Sequence, residues 1–243
     1  MAVLVTRPAP DNERTASALR ARGFEVLLAP MLRFEPVALP PDAGRDAAGV
    51  IVTSSNALRA AAPQLRGSAL LRLPLFAVGD RTAAAAREAG FTQVISAAAD
   101  ATALRDLIAD SGVVVDAKAT LLYLAGADIS RDLASELAER GFDVVTQTVY
   151  RMAPVAALPR DVCAAFAANR IEAVLHYSRR SAAAFVAAIR TDGVEISALA
   201  VPHGCLSANV AEVLREAGAT QVTIAAHPDE NDMLEGLTRA LRS

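Results

Sequence analysis

Three polar turns, each placed directly after an aliphatic run, carry groups with which this chain could do chemistry. Thr6-Arg7-Pro8 follows Val3-Leu4-Val5, Thr53-Ser54-Ser55-Asn56 follows Val50-Ile51-Val52, and Gly79-Asp80-Arg81-Thr82 follows Leu75-Phe76-Ala77-Val78. Gly126-Ala127-Asp128, Tyr177-Ser178-Arg179-Arg180-Ser181 and Cys205-Leu206-Ser207 fall at comparable points further along. Hydroxyls and free N–H groups at a helix start either satisfy that helix's own orphan donors or hold an anion, and residue type alone leaves both readings open. Arg7, Arg131, Arg179 and Arg180 offer a planar fork suited to carboxylates or phosphates, and equally suit a solvated surface.

Other chemistries lack their spacing. Gly79 stands alone in VGDRT, with neither the dinucleotide fingerprint nor a Walker A loop around it, so NAD and ATP are not implied. His176, His203 and His227 have no i,i+4 pairing of the kind that binds zinc on a helix, and read as structural or surface residues. Ser178 has no recognisable histidine and acid relay. Cys163 and Cys205 are too few for a disulfide framework or a cysteine metal site, and read as buried small hydrophobes. Tyr123, Tyr150 and Tyr177, the only tyrosines, stand at or near strand ends, where an amphipathic ring fits a core edge.

The elements that position these turns repeat. RARGFEVLLAPMLRFEPV (20–37) is matched by LAERGFDVVTQTVYRMAPV (137–155), and AAAREAGFTQV (84–94) by EVLREAGATQV (212–222). GVIVTSSNALRAAAPQL and AVLHYSRRSAAAFVAAI form a third pair, each an apolar strand, a polar turn and an Ala-rich helix. Strands each followed by a crossover-length helix imply parallel sheets, whose ligands bind outside the strands' carboxyl ends. Helices are expected near Asn12 to Arg22 and around Ser130 to Arg140. The extended stretches Pro30–Pro36 and Thr148–Pro154 correspond, and as crossings between lobes they give lobe one residues 1–33 with 155–243 and lobe two residues 36–150, with bridges at 30–40 and 148–159. Tyr150 sits on the second bridge.

Composition bounds the partners. Fifty-three per cent hydrophobic residues and 21% charged suit a sizeable core rather than disorder, and no apolar stretch approaches the roughly 20 residues of a membrane span. A net charge of -3 argues against a nucleic-acid binder. Lys118 is the only lysine. The start MAVLVTRPAP carries no visible secretory signal, so the expected location is cytoplasmic.

VLVTRP, VTSSNAL, AVGDRTA, LAGADISRDLASELAERGFDVVTQTVYR, YSRRSAAAF and CLSANVAEVLREAG, in that order, resemble the uroporphyrinogen-III synthase (HemD) family over essentially residues 2–241. The resemblance implies two α/β lobes of flavodoxin-like topology with parallel sheets, joined by a two-stranded hinge beside an open cleft. It implies a hydro-lyase that cyclises hydroxymethylbilane to uroporphyrinogen III with inversion of ring D, needs no cofactor or metal, acts as a monomer and receives its substrate from hydroxymethylbilane synthase. By the same resemblance Tyr150 matches the tyrosine beside the departing hydroxyl. Phenols ionise near pH 10, so its expected role is oriented hydrogen bonding with modest proton assistance. Arg7, Thr53, Ser54, Ser55, Gly79, Thr82, Gly126, Ser178, Arg179 and Ser207 match edges that meet the substrate's acetate and propionate groups. The sequence departs from the family at Ser207 and Val210, where the other repeat has Gly79 and Thr82, and at Asp229, an acid suited to capping the last helix. A noncatalytic tetrapyrrole-binding or regulatory relative, and an unrelated two-lobe sensor of small anions, are the alternative readings.

Overall fold

The computed structural model describes residues 1–97, 101–110, 120–129 and 131–242. Along the chain run β1 (Ala2–Val5), α1 (Asp11–Ala21), β2 (Glu25–Leu28), β3 (Leu32–Pro36), β4 (Ala47–Val52), α2 (Ser55–Ala61), β5 (Pro74–Val78), α3 (Asp80–Glu88), β6 (Gln93–Ala97) and α4 (Ala101–Asp110). There follow β7 (Thr120–Gly126), α5 (Leu133–Ala138), β8 (Asp143–Pro154), α6 (Arg160–Ala167), β9 (Ile171–His176), α7 (Arg179–Thr191), α8 (Glu195–Ala200), β10 (His203–Cys205), α9 (Ala208–Glu216), β11 (Val222–Ile224) and α10 (Glu230–Arg242). Lys118 and Ser130, the expected start of α5, lie outside the described residues. Among the described residues no helix is long and apolar enough to cross a membrane.

The chain divides into two compact units, Met1–Phe34 with Ala153–Ser243 and Glu35–Met152. In the first, five parallel strands lie in the order β2-β1-β9-β10-β11, the 2-1-3-4-5 order of flavodoxin-like sheets. In the second, β8-β7-β4-β5-β6 are also parallel, with β3 added at the β8 edge. The sequence repeats equate β7 with β1, β8 with β2, and β4, β5 and β6 with β9, β10 and β11. Under that correspondence the two sheets have the same order, and the second unit is a circular permutation of the first. The reversal of strand order therefore falls between β1 and β9 in one unit and between β4 and β7 in the other.

Central strands are buried on both faces, which is why Val3-Leu4-Val5 and Val50-Ile51-Val52 read as unbroken apolar runs. Leu121, Tyr123 and Ala125, alternate residues of β7, pack with Ile51, Phe76, Leu104, Leu133 and Leu137 into one core. Val3, Val5, Ala173 and Leu175 pack against Met233, Leu234 and Leu237 of α10 in the other unit. The two matched extended stretches differ. β8 is a single strand of 12 residues, whereas β2 and β3 are separated by Ala29–Met31. Pro30 stands where β8 has Thr148, and a proline has no N–H to continue the ladder.

Candidate active site

At the strand-order reversal of the second unit, a cavity of about 210 Å³ opens at the carboxyl ends of β4 and β7. Thr53, Ser54, Tyr123, Gly126, Asp128, Arg131 and Tyr150 contribute to its lining. Ligand pockets usually measure about 300–1,000 Å³, so this one suits a single ring or acidic arm of a larger molecule.

Local backbone chemistry sets each group in place. Between β7 and β8 the register runs Ala125 to Thr148 and then Gly126 to Tyr150, so Val149 is the extra residue of a bulge. A bulge of this kind re-aims the side chains beside it. The Ala127 N–H donates to the Tyr150 carbonyl at 2.9 Å, holding the bulged strand. The Tyr150 ring then lies over Gly126, where a Cβ would stand 2.7 Å from Cζ and 2.8 Å from the phenolic oxygen. Only glycine leaves that space free.

Thr53 is the first residue beyond β4, and its Oγ1 lies 2.9 Å from the Tyr123 hydroxyl. Burial pushes the Tyr123 phenol above its ordinary value, the Thr53 hydrogen bond pulls against that, and nearby Tyr150 adds to the rise. Ser54 caps α2, accepting the Asn56 N–H at 3.2 Å, so its hydroxyl serves the helix as well as the cavity wall. Arg131 is held by Glu136 through Nε at 2.5 Å and Nη2 at 2.7 Å, and donates from Nη1 to Thr102 at 2.6 Å. The Arg131 hydrogen bonds hold the Glu136 carboxyl below the usual range, outweighing the opposing effect of desolvation, with a further contribution from the positive charges of Arg131 and Arg105.

Ser55, Gly79 and Thr82 occupy other turns of this unit. Ser55 opens α2, Gly79 precedes α3 with φ +76°, and Thr82 is buried in α3's first turn. In the other unit Ser178 caps α7, accepting the Ser181 N–H at 3.1 Å, and Arg179 is exposed and paired with Glu212 at 3.1 Å. Ser207 stands at the start of α9 without a side-chain capping bond.

Arg7 lies at that unit's own strand-order reversal, 4.6 Å above the Tyr177 ring, with Asp11 at 3.3 Å and Glu230 at 3.4 Å. Glu230 also accepts hydrogen bonds from Tyr177, at 2.8 Å, and from Thr15. Burial pushes the Tyr177 phenol well up, with the Thr15 hydroxyl opposing and Glu230 reinforcing the rise. Thus an internal carboxylate fills the place equivalent to the open cavity of the second unit.

A family model for uroporphyrinogen-III synthase HemD matches residues 13–235. The chain belongs to the uroporphyrinogen-III synthase (HemD) family. That family consists of lyase-type enzymes of tetrapyrrole and heme biosynthesis. Among solved structures, the uroporphyrinogen-III synthetase of Helicobacter pylori is similar at 20% identity and TM-score 0.63, with 99% of each chain covered. A mutant uroporphyrinogen III synthase from the extreme thermophile Thermus thermophilus is similar at 19% identity and TM-score 0.56, covering 100% of this chain and 99% of the other. At these identities the likeness is one of fold. No curated protein matches the chain.

Within this HemD-family chain, the cavity brings together Thr53, Ser54, Gly126 and Tyr150 with Arg131, one of the arginines singled out from sequence, and Asp128 of the Gly126-Ala127-Asp128 turn, and adds Tyr123. Tyr123 reads as a core-edge ring from sequence, which its ring is; the available signal was one hydroxyl in the otherwise aliphatic run LLYLA. Elsewhere Asp229 caps α10 through the Asn231 and Asp232 N–H groups. His227 and Asp229, both exposed, lie with the half-buried Asp232 in a group whose candidate ligand atoms fall within 4.8 Å of one another, a proximity that helix spacing rules do not anticipate. Asp229 serves there as the cap, and Asp232 already accepts the His227 N–H. Cys205 is buried, and burial pushes its thiol up to about 12, but Cys163 is only half-buried, unlike the expectation of two buried cysteines. Cys163 lies near the start of the eight-residue α6, whose buried face is formed by Val162, Ala165 and Phe166.

Proposed function

We propose that this chain is a uroporphyrinogen-III synthase, converting hydroxymethylbilane to uroporphyrinogen III with inversion of ring D and loss of water. The observation that carries the reading is the Tyr150 phenol seated on Gly126 beside the Thr53 and Ser54 hydroxyls, at a sheet edge where ligands bind, in a chain of this family. Tyr150 donates a hydrogen bond to the terminal hydroxyl as its C–O bond breaks, and the hydroxyl leaves as water, the proton it gains being balanced by the one the pyrrole N–H gives up. The electron push comes from the pyrrole, leaving an azafulvene. Attack through the substituted position of ring D gives a spiro intermediate, whose fragmentation and reclosure reverse that ring. The chain's work is to hold the two ends in a reactive arrangement and to disfavour direct closure, which is mostly orientation. Arg7, Ser55, Gly79, Thr82, Ser178, Arg179 and Ser207 stay assigned to the acetate and propionate arms, and for Arg7 this requires a substrate carboxylate to compete with Glu230.

The test is coupled turnover with hydroxymethylbilane synthase followed by separation of isomers I and III. Isomer III is expected from the wild-type chain, and Tyr150→Phe lowers its rate by about 10- to 100-fold, the scale of one lost hydrogen bond to a group that gains charge in the transition state. Isomer I alone, formed at the spontaneous rate, rejects the reading. Wild-type turnover by Tyr150→Phe removes that residue from the chemistry.

A further inference from the structure

Resting on the synthase reading above, we propose that Tyr123 is a positioning residue that turns the Thr53 hydroxyl into an oriented hydrogen-bond donor for a carboxylate arm of the substrate. Tyr123 belongs to β7 and Thr53 to the end of β4, 70 residues apart in sequence, and the strand-order reversal sets their oxygens 2.9 Å apart at the cavity wall. Among the described residues, each of these side-chain hydroxyls has the other as its hydrogen-bond partner.

A proton count decides what this contact delivers. Each hydroxyl has one proton and two lone pairs, so the pair holds two protons and spends one between its own oxygens. The remaining proton belongs to whichever oxygen accepts. A phenol is a far stronger acid than an aliphatic alcohol, so Tyr123 donates and Thr53 accepts. The Thr53 proton is then left to point away from the phenol, and Thr53, half-buried, lines the cavity. Donation from the phenol also polarises the Thr53 O–H, as in any hydrogen-bonded chain.

Two features suit Tyr123 to hold rather than to react. Its ring is 4% exposed and packed among Ile51, Leu121 and Leu133, so its hydroxyl has little freedom to turn elsewhere. Burial also keeps the phenol protonated well into the alkaline range, which maintains the direction of donation. Without this partner, Thr53 could rotate about χ1 and χ2 and would be ordered only when substrate binds. The cost of that ordering appears in binding.

The experiment measures KM and kcat for isomer III in wild type, Tyr123→Phe, Thr53→Val, the double variant and Thr53→Ser, with thermal midpoints for each. Tyr123→Phe keeps the ring and its packing. The loss in both single variants falls chiefly on KM, by about 10-fold, the size expected for one hydrogen bond to a charged group. The double variant is no worse than Thr53→Val alone, because both substitutions cut the same chain, and Thr53→Ser retains the wild-type KM. A wild-type KM in Tyr123→Phe, or multiplying effects in the double variant, overturns the proposal, and a lowered thermal midpoint with unchanged KM marks Tyr123 as a core residue only. If wild type itself forms no isomer III, the synthase reading fails and takes this inference with it, whereas active wild type with an indifferent Tyr123→Phe rejects the inference alone.

Discussion

Acid should destabilise this protein through two histidines that take no part in the site. His176, the last residue of β9, and His203, the first of β10, are both fully buried, with His176 Nε2 3.1 Å from His203 Nδ1. Among the described residues their other nitrogens, His176 Nδ1 and His203 Nε2, have no hydrogen-bond partner. Phe185 packs edge-on against His176 with its centroid at 5.0 Å. A neutral pair can share one proton across the contact, but an imidazolium there would be desolvated and would face a second ring. Burial accordingly lowers both, His176 well below 6.5 with His203 contributing, and His203 to about 4 despite the favourable Ala198 carbonyl.

The unfolded chain binds these protons near pH 6.5 and the folded chain does not. The stabilisation is therefore complete above about pH 6.5 and is lost as pH falls toward about 4. For His203 a drop from 6.5 to about 4 corresponds to about 3 kcal/mol, at about 1.4 kcal/mol per tenfold. His176 acts in the same direction. Denaturant midpoints at about pH 7.5 and 4.5 measure the loss. Carboxylate titration is subtracted with a His176→Leu/His203→Leu double variant, which keeps similar volume and cannot titrate. The wild type should lose about 3 kcal/mol or more relative to that variant across this interval. A pH-independent difference between the two proteins would refute the reasoning, since it would mean that the rings are protonated equally in folded and unfolded chains.

Three further outcomes follow from contacts described above. In Gly126→Ala the Tyr150 ring must move, because it is the far end of a side chain that meets the new methyl group; isomer III formation should fall by at least about 10-fold while the thermal midpoint changes little, and an equal loss of stability would instead indicate a backbone effect. Glu230→Ala leaves the Tyr177 and Thr15 hydroxyls without their shared acceptor and should cost about 1–3 kcal/mol in chemical denaturation. An unchanged midpoint would show that the network contributes nothing net. In a spectrophotometric titration, Tyr123 and Tyr177 should ionise above free tyrosine, so stability is lost as pH rises through the alkaline range; ionisation of these two phenols at the free-tyrosine value in the folded protein would contradict their burial.

Much of this architecture is legible along the chain because it is local. Aliphatic runs followed by polar turns and Ala-rich helices mark each βα step, and the matched phrases around Gly23 and Gly141, and Gly90 and Gly218, reveal two versions of one unit. The turns at Thr53, Gly79, Gly126, Ser178 and Ser207 could be placed at strand ends for the same reason. Less legible was the division of labour among their side chains. Ser54 and Ser178 cap helices, and Arg179 meets Glu212, contacts that require only neighbouring elements yet depend on rotamers that residue type leaves open. Arg7 could be read as a free carboxylate clamp until α10 supplied Glu230 from the far end of the sequence.

The sequence by itself determined the alternation of strand and helix, the internal duplication and the polar character of the strand ends, since each depends on residues within a few turns of one another. Tertiary structure alone decided the strand order, and with it which ends became neighbours. Pairing β4 with β7 brings Thr53 to Tyr123, and the extra residue in β8 turns Tyr150 onto Gly126. Those contacts arise from sheet register, which is set by the summed packing of whole strands and helices rather than by the preferences of the residues that meet.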